Sequence, residues 1–290
     1  MTVLELVERA AAQLDAAGVA FGHGTTNAFD EAAWLVLWKL GLPLDALDEH
    51  EHAEVAPAAQ AGVQALVDER IATRKPAAYL TGEAWLQGVP FFVDERVIVP
   101  RSLIAEPLAE GTLDAWLSDQ TRTVLDLCTG NGSLAVLAAL AWPEVSVTAT
   151  DLSLAALEVA ARNVQRHGLQ DRIRLAQGDG LAAAPGRYDL ILCNPPYVNR
   201  ASIAALPPEF RAEPALALDG NVHGGNDGMD FIRSLIALAR QHLTEQGLLV
   251  LEIGHEHAHF EAAFPRLTVV WLPTSAGDEQ VLLVEAHQLP

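Results

Sequence analysis

Asn194-Pro195-Pro196-Tyr197 is the stretch of this chain whose residue types restrict its chemistry most. Pro196 biases Pro195 towards an extended backbone, and neither proline has an N–H. The Pro195 carbonyl is therefore held in one direction. Together with the Asn194 side-chain oxygen it makes two acceptors that can grip the two hydrogens of a planar –NH2 group. Tyr197 can stack on that flat group. An amide nitrogen is a poor nucleophile because its lone pair is delocalised. Acceptors aimed at its N–H groups stabilise the positive charge that develops as it attacks, more in the transition state than in the ground state. Positioning supplies the rest. A proline-rich surface turn would need neither the asparagine nor the apolar strand that feeds it.

A second group lies upstream, in Asp126-Leu-Cys-Thr-Gly130-Asn-Gly132-Ser. Glycines at 130 and 132 let the backbone turn tightly and approach a ligand at the start of a helix. Gly130-x-Gly132-x-x-Ala135, with Asp151 further on, also fits a dinucleotide fingerprint loosely. Asp126 turns the reading away from it. An acid at the strand end would repel a pyrophosphate and suits an ammonium group. Asp151 can accept from both hydroxyls of a ribose, and Asp179 is placed to meet an adenine amino group. Each acid alone reads equally well as a helix cap. All three, with the glycine turn, describe S-adenosylmethionine, which is cationic at sulfur and carries no phosphate. Methyl transfer to a planar amide or amino nitrogen follows from the two groups together.

The elements that must position these residues read as an α/β fold. From Thr123 onward short apolar strands alternate with helices: strands at Val124–Cys128, Val145–Thr150, Ile173–Ala176, Tyr188–Cys193 and Leu248–Ile253, helices at Ser133–Ala141, Leu154–His167 and Asp227–His242. Such alternation implies an α/β fold with a mostly parallel sheet covered on both faces over residues 103–290. Leu267–Leu272 and Gln280–Glu285, joined by a loop at Thr274–Glu279, predict an antiparallel edge. Residues 1–78 are helical, with apolar positions recurring at three and four (Val3, Leu6, Val7, Ala10, Leu14) and a last helix from Pro57 to Thr73. They make a small all-helical unit suited to substrate recognition. Residues 79–102 alternate as a β-hairpin linker turning at Gly88-Val89-Pro90, after which Ser102 is expected to cap a helix reaching Leu117.

Composition narrows the partners. The 290 residues carry 18 basic and 38 acidic side chains, for a net charge of −20. That balance opposes binding a phosphate backbone and suits a basic protein. No apolar run is long enough to cross a bilayer and the N-terminus does not read as a signal peptide. With only Cys128 and Cys193, a disulfide framework is excluded and a reducing cytoplasm is expected.

DLCTGNGS, TDLS and NPPY, in this order and spacing, resemble the HemK-type protein-glutamine methyltransferases, and the resemblance covers essentially the whole chain. It implies a helical N-terminal domain, a hairpin linker and, over residues 103–290, a Rossmann-like class I methyltransferase domain that methylates the side-chain amide of glutamine in translation proteins. Tyr79-Leu-Thr-Gly-Glu-Ala-Trp, Val93-Asp-Glu-Arg-Val-Ile-Val-Pro-Arg-Ser102 and Cys128 resemble the branch acting on ribosomal protein L-three more than the branch acting on peptide chain release factors. Gly180 departs from the latter, which has an aromatic residue there, and so leaves stacking on adenine open. The resemblance implies methyl-donor contacts at Thr129, Gly130, Asn131, Gly132, Asp151 and Asp179, and a glutamine amide held by Asn194, Pro195, Pro196 and Tyr197. Arg101 is expected either to hold substrate backbone or to form a surface salt bridge.

Other readings are weaker. His255-Glu256-His257-Ala258-His259 matches a zinc spacing and would open a helix, but a metalloprotease would leave NPPY and the three acids unused, so no metal is expected. Cys128 and Cys193 end neighbouring strands and read as small buried residues. A nucleic-acid methyltransferase acting on an exocyclic amino group would need a basic groove. A nicotinamide dehydrogenase and a non-catalytic binding module complete the alternatives.

Overall fold

The computed structural model describes residues 1–290. Helices α1 (Val3–Ala16), α2 (Ala28–Leu40) and α3 (Pro57–Thr73) form the helical unit. Thr2 and Glu5 cap α1 reciprocally, satisfying two N–H groups that the first turn leaves free. Leu6, Val7, Leu14, Val36 and Val63 close a core between the three helices. Arg70 on α3 is fully buried and pairs with Glu31 of α2 at 2.8 Å. This ion pair holds the unit together only while both partners are present, since either charge alone would be stranded.

Strands β1 (Glu83–Leu86) and β2 (Val89–Phe92) form the hairpin. It turns at Gln87 and Gly88, both with positive φ (49° and 72°), the backbone a two-residue hairpin turn demands. The turn therefore falls one step earlier than expected, and Val89 and Pro90 belong to the strand. Asn163 anchors this hairpin by exchanging hydrogen bonds with the Phe92 backbone at 2.7 and 2.9 Å.

The remaining chain builds one seven-stranded sheet from β3 (Thr123–Leu127), β4 (Ser146–Asp151), β5 (Ile173–Gln177), β6 (Tyr188–Cys193), β7 (Leu243–Glu252), β8 (Val270–Thr274) and β9 (Gly277–Glu285). The spatial order is β5-β4-β3-β6-β7-β9-β8, parallel as far as β7, with β9 and β8 antiparallel at the edge. Alternate residues face opposite sides, as the pleat requires. Val124, Leu190, Leu192 and Val250 enter one core; Leu125, Leu127, Ile191 and Leu251 enter the other. Helices α4 (Ser133–Ala141) and α5 (Leu154–Arg166) follow β3 and β4, and α6 (Asp230–Leu238) precedes β7. Ser133 to Ala139 of α4 are all buried, which explains why its sequence is apolar on every side.

Three expectations are corrected. No helix runs from Ser102 to Leu117: only Ala105–Ala109 and a 3-10 turn at Thr112–Ala115 form, because Gly111 takes φ +72° between them. The Ser102 hydroxyl donates to Glu252 at 2.6 Å. The helix placed at Asp227–His242 begins at Asp230, after Gly228 (φ +77°), and tightens to a 3-10 turn at Ala239–His242. Strand β7 begins at Leu243, five residues early, and β8 and β9 meet in a short turn at residues 275–276. No helix is long and apolar enough to cross a membrane.

Candidate active site

The chain reverses direction across the sheet between β3 and β6: β4 lies on one side of β3 and β6 on the other. A crevice beyond the carboxyl ends of the strands is expected at such a switch point. A cavity of about 680 Å3 lies there. Asp126, Thr129, Gly130 and Asn131 line it from the end of β3, Asp151 from β4 and Asp179 from the turn after β5. Asn194 and Pro196 line it from beyond β6, and Arg101 from the segment before the sheet.

Gly132, Pro195 and Tyr197 do not line the wall. Gly132 serves packing instead: at φ +83°, a Cβ there would sit 3.2 Å from the Cβ of Ala160 on α5. Gly130, at φ +56°, has open space in front of it, and the two glycines thus have different reasons to be glycine. Pro195 is buried. The Tyr197 ring packs on Gly254, where an added Cβ would come 2.6 Å from the ring, and its hydroxyl donates to Glu252 at 3.1 Å. The stacking partner expected at Tyr197 is thus turned away from the cavity.

Asp126 is almost wholly buried. Its Oδ2 accepts from the Thr129 hydroxyl and from the Ala135 N–H at 3.0 Å, so it does cap α4. Its Oδ1 has no partner. Burial pushes its carboxyl up to about 7, against the pull of those two hydrogen bonds. Asp151 accepts from Gly130 N–H at 2.9 Å and Ser153 N–H at 2.8 Å, and burial raises its carboxyl too. Asp179 makes no side-chain cap to the short helix after it, which leaves it to the cavity. Asn131 Nδ2 and Thr150 Oγ1, both buried at the wall, also lack partners.

A buried acceptor left unpaired beside a cavity costs free energy that a ligand donor would recover. The arrangement fits a cationic, hydroxyl-rich ligand. It does not fit a diphosphate, because the arginines on the wall are already bound. Arg96 is held by Asp94 and Glu158. Arg101 grips Glu213 with both nitrogens, at 2.6 and 2.7 Å. Glu213 is buried, so this is no surface salt bridge. Burial alone would raise its carboxyl, yet Arg101 and then His23 hold it at about 2.

Residues outside the motifs complete the site. His23, from the helical unit, lies 3.5 Å from Glu213 and packs against Phe210, with ring centroids 4.2 Å apart and planes tilted by 42°. Arg74 reaches Glu209 at 3.0 Å. The segment after NPPY therefore docks on the helical unit. Nothing in the sequence near Glu209 and Glu213 marks their partners. Phe231 of α6 also lines the cavity and lies over Gly180. Glu252, a lone acid in the apolar run Leu248–Ile253, is the one missed residue whose sequence carried a signal.

The zinc-like motif folds differently from its expectation. The helix begins at His257, so His255 is not on it. Buried Glu256 accepts from Asn199 Nδ2 at 2.7 Å and from His259 Nδ1 at 2.5 Å. Cys193 pairs in register with Leu127, the residue before Cys128; both cysteines are free, and burial raises the Cys193 thiol.

Comparisons with known proteins agree on the chemistry class. Residues 109–218 match the methyltransferase small domain. A ribosomal protein uL3 glutamine methyltransferase from Bordetella pertussis is 55% identical over 99% of this chain and 96% of its own length. One of the same name from Burkholderia pseudomallei is 51% identical over 100% and 96%. Among solved structures, a methyltransferase from Pyrococcus furiosus shares the fold, with a TM-score of 0.50, 19% identity, and coverage of 77% of this chain and 97% of that one. With a parallel sheet ending in a paired acid-and-amide cavity, and full-length relatives at this identity, the chain belongs to the family of ribosomal protein uL3 glutamine methyltransferases.

Proposed function

We propose that this methyltransferase moves a methyl group from S-adenosylmethionine to the side-chain amide nitrogen of a glutamine in ribosomal protein uL3. The observation that carries the reading is that Asn194 and the Asp126–Gly130–Asp151 group line one cavity. When bound, S-adenosylmethionine supplies an electrophilic methyl on a sulfonium. Asp126 Oδ1 is the free acceptor for its ammonium group, Asp151 for its ribose and Asp179 for its adenine, with Thr129, Gly130 and Asn131 forming the turn beneath.

On the acceptor side, the Asn194 side-chain oxygen receives one amide hydrogen at the cavity wall, and the backbone carbonyl of Pro195, which lies between the wall residues Asn194 and Pro196, receives the other. They hold the nitrogen lone pair towards the donor half of the cavity and stabilise the charge that grows on nitrogen. No strong base is needed, since the N-methylated amide gives up its extra proton readily to water. Arg101, fixed by Glu213, presents its remaining face to the substrate backbone. The net charge of −20 favours encounter with a basic ribosomal protein.

Mass spectrometry of peptides from uL3 and from a release factor, and of nucleosides from ribosomal RNA, each incubated with the chain and the methyl donor, tests this. One methyl on a glutamine of uL3 is expected. Methyl found only on a release factor, or only on RNA, would overturn the assignment of substrate.

A further inference from the structure

Glu252 closes β7 at a point fixed by strand register. Cys193 of β6 pairs with Leu251 of β7, so Asn194, the first residue beyond β6, stands beside Glu252, the last residue of β7. Glu252 is 3% exposed, and none of the chain's ion pairs includes it. Arg101, whose charge it feels, is bound to Glu213. A buried carboxylate with no direct cation costs stability, and an apolar or amide side chain of similar size would cost less. Its hydrogen bonds show what it gives in return. Oε2 accepts from the Ser102 hydroxyl at 2.6 Å and from the Leu103 N–H at 2.9 Å, and Oε1 accepts from the Tyr197 hydroxyl at 3.1 Å.

These donors belong to the two stretches that supply Asn194 and Pro196 to one wall of the cavity and Arg101 and Ser102 to another. Tyr197 ends the Asn194-Pro195-Pro196 turn, and its ring has no freedom on the other side because Gly254 lies against it. Ser102 and Leu103 continue directly from Arg101. We propose that Glu252 is a positioning residue for methyl transfer: it ties the Tyr197 end of the amide-gripping turn to the Arg101–Leu103 segment, so that both sides of the acceptor site stand in one register. The proposal rests on the reading of Asn194 given above. Buried Glu256 holds the far end of the same stretch through Asn199, at 3.1 and 2.7 Å, so the turn between them is fixed at both ends. In Glu252→Gln the new amide faces the Tyr197 hydroxyl with N–H groups, and the hydroxyl must reverse its bond or lose it.

The test uses the full chain in three forms, Glu252→Gln, Tyr197→Phe and both together, each first shown to be folded by thermal unfolding. Transfer to uL3 should show kcat falling on the order of tenfold in each single variant, the scale expected when a reacting group is displaced by less than an ångström. Donor affinity should stay within about twofold, because neither residue lines the donor half. The double variant should lose no more than the worse single one, as a shared link requires. Hydrogen–deuterium exchange of the peptide holding Tyr197, Val198 and Asn199 should quicken in both single variants while the central strands keep their protection. This readout needs no acceptor, so it decides the anchoring even if wild-type chain fails to methylate uL3, an outcome that would sink the functional reading alone. Unchanged exchange, unchanged kcat, or losses that add in the double variant would each overturn the positioning role. Should Glu252→Gln not fold, Tyr197→Phe, which removes a single oxygen, carries the same kcat and exchange expectations.

Discussion

Gly130 donates its backbone N–H to Asp151 Oδ2 at 2.9 Å, so the glycine turn after β3 is held in shape by the acid at the end of β4. The same carboxylate takes the Ser153 N–H with its other oxygen. Asp151 is thus both a wall of the cavity and the strut of the turn opposite it. Replacing it by alanine removes a ribose acceptor and loosens the turn together. Calorimetric titration of Asp151→Ala with S-adenosylmethionine should show affinity lower by about one to two powers of ten, the worth of one or two charge-assisted hydrogen bonds. Unchanged affinity would refute the ribose assignment.

Asp126 predicts a pH dependence for donor binding. Its carboxyl titrates near 7 without ligand, raised by burial. An ammonium beside Oδ1 favours the charged form, so binding lowers that value and expels a proton. Affinity should therefore be full above about pH 7 and fall as the pH drops through it. Titration across that range should show the fall in the wild type and a flat profile in Asp126→Asn. A wild-type profile that rises towards acid would contradict the assignment.

The pair Arg101–Glu213 makes a claim on stability. Glu213 is lowered from an ordinary 4.5 to about 2 in the folded chain. A lowered carboxyl stabilises the fold above the unfolded value and loses that contribution as the pH falls from about 4.5 to about 2. The displacement corresponds to roughly 3 kcal/mol at neutral pH. Glu213→Gln, which also strands Arg101, should unfold at lower denaturant at pH 7, and its deficit should narrow in acid. A deficit that stays constant down to pH 3 would mean that packing, not charge, accounts for the loss.

How far the molecule could be read before its coordinates depends on the range of the forces involved. Tyr188–Cys193, Ser133–Ala141 and Pro57–Thr73 were bounded to the residue, because prolines, glycines and apolar runs act locally. The helix expected after Ser102 breaks at Gly111, and the Ser102 hydroxyl donates to Glu252, a partner that lies far away in sequence. Gly132 and Gly130 look alike in a motif, and only the neighbouring α5 separates their roles. The links from Glu209 and Glu213 to Arg74 and His23 pair acids and bases across the two parts of the chain, and no spacing rule reaches that far. Glu252 was legible in principle: an acid inside Leu-Leu-Val-Leu-Glu-Ile-Gly must have partners waiting.

The central claim is that Asn194 acts on the reacting amide and not on the donor. Single-turnover transfer by Asn194→Ala, measured beside its affinity for S-adenosylmethionine, tests it most directly. Removing one positioned transition-state acceptor should cut the transfer rate by about two to three powers of ten, with donor affinity within about twofold of wild type. Equal losses in both quantities, or a rate left intact, would contradict the account.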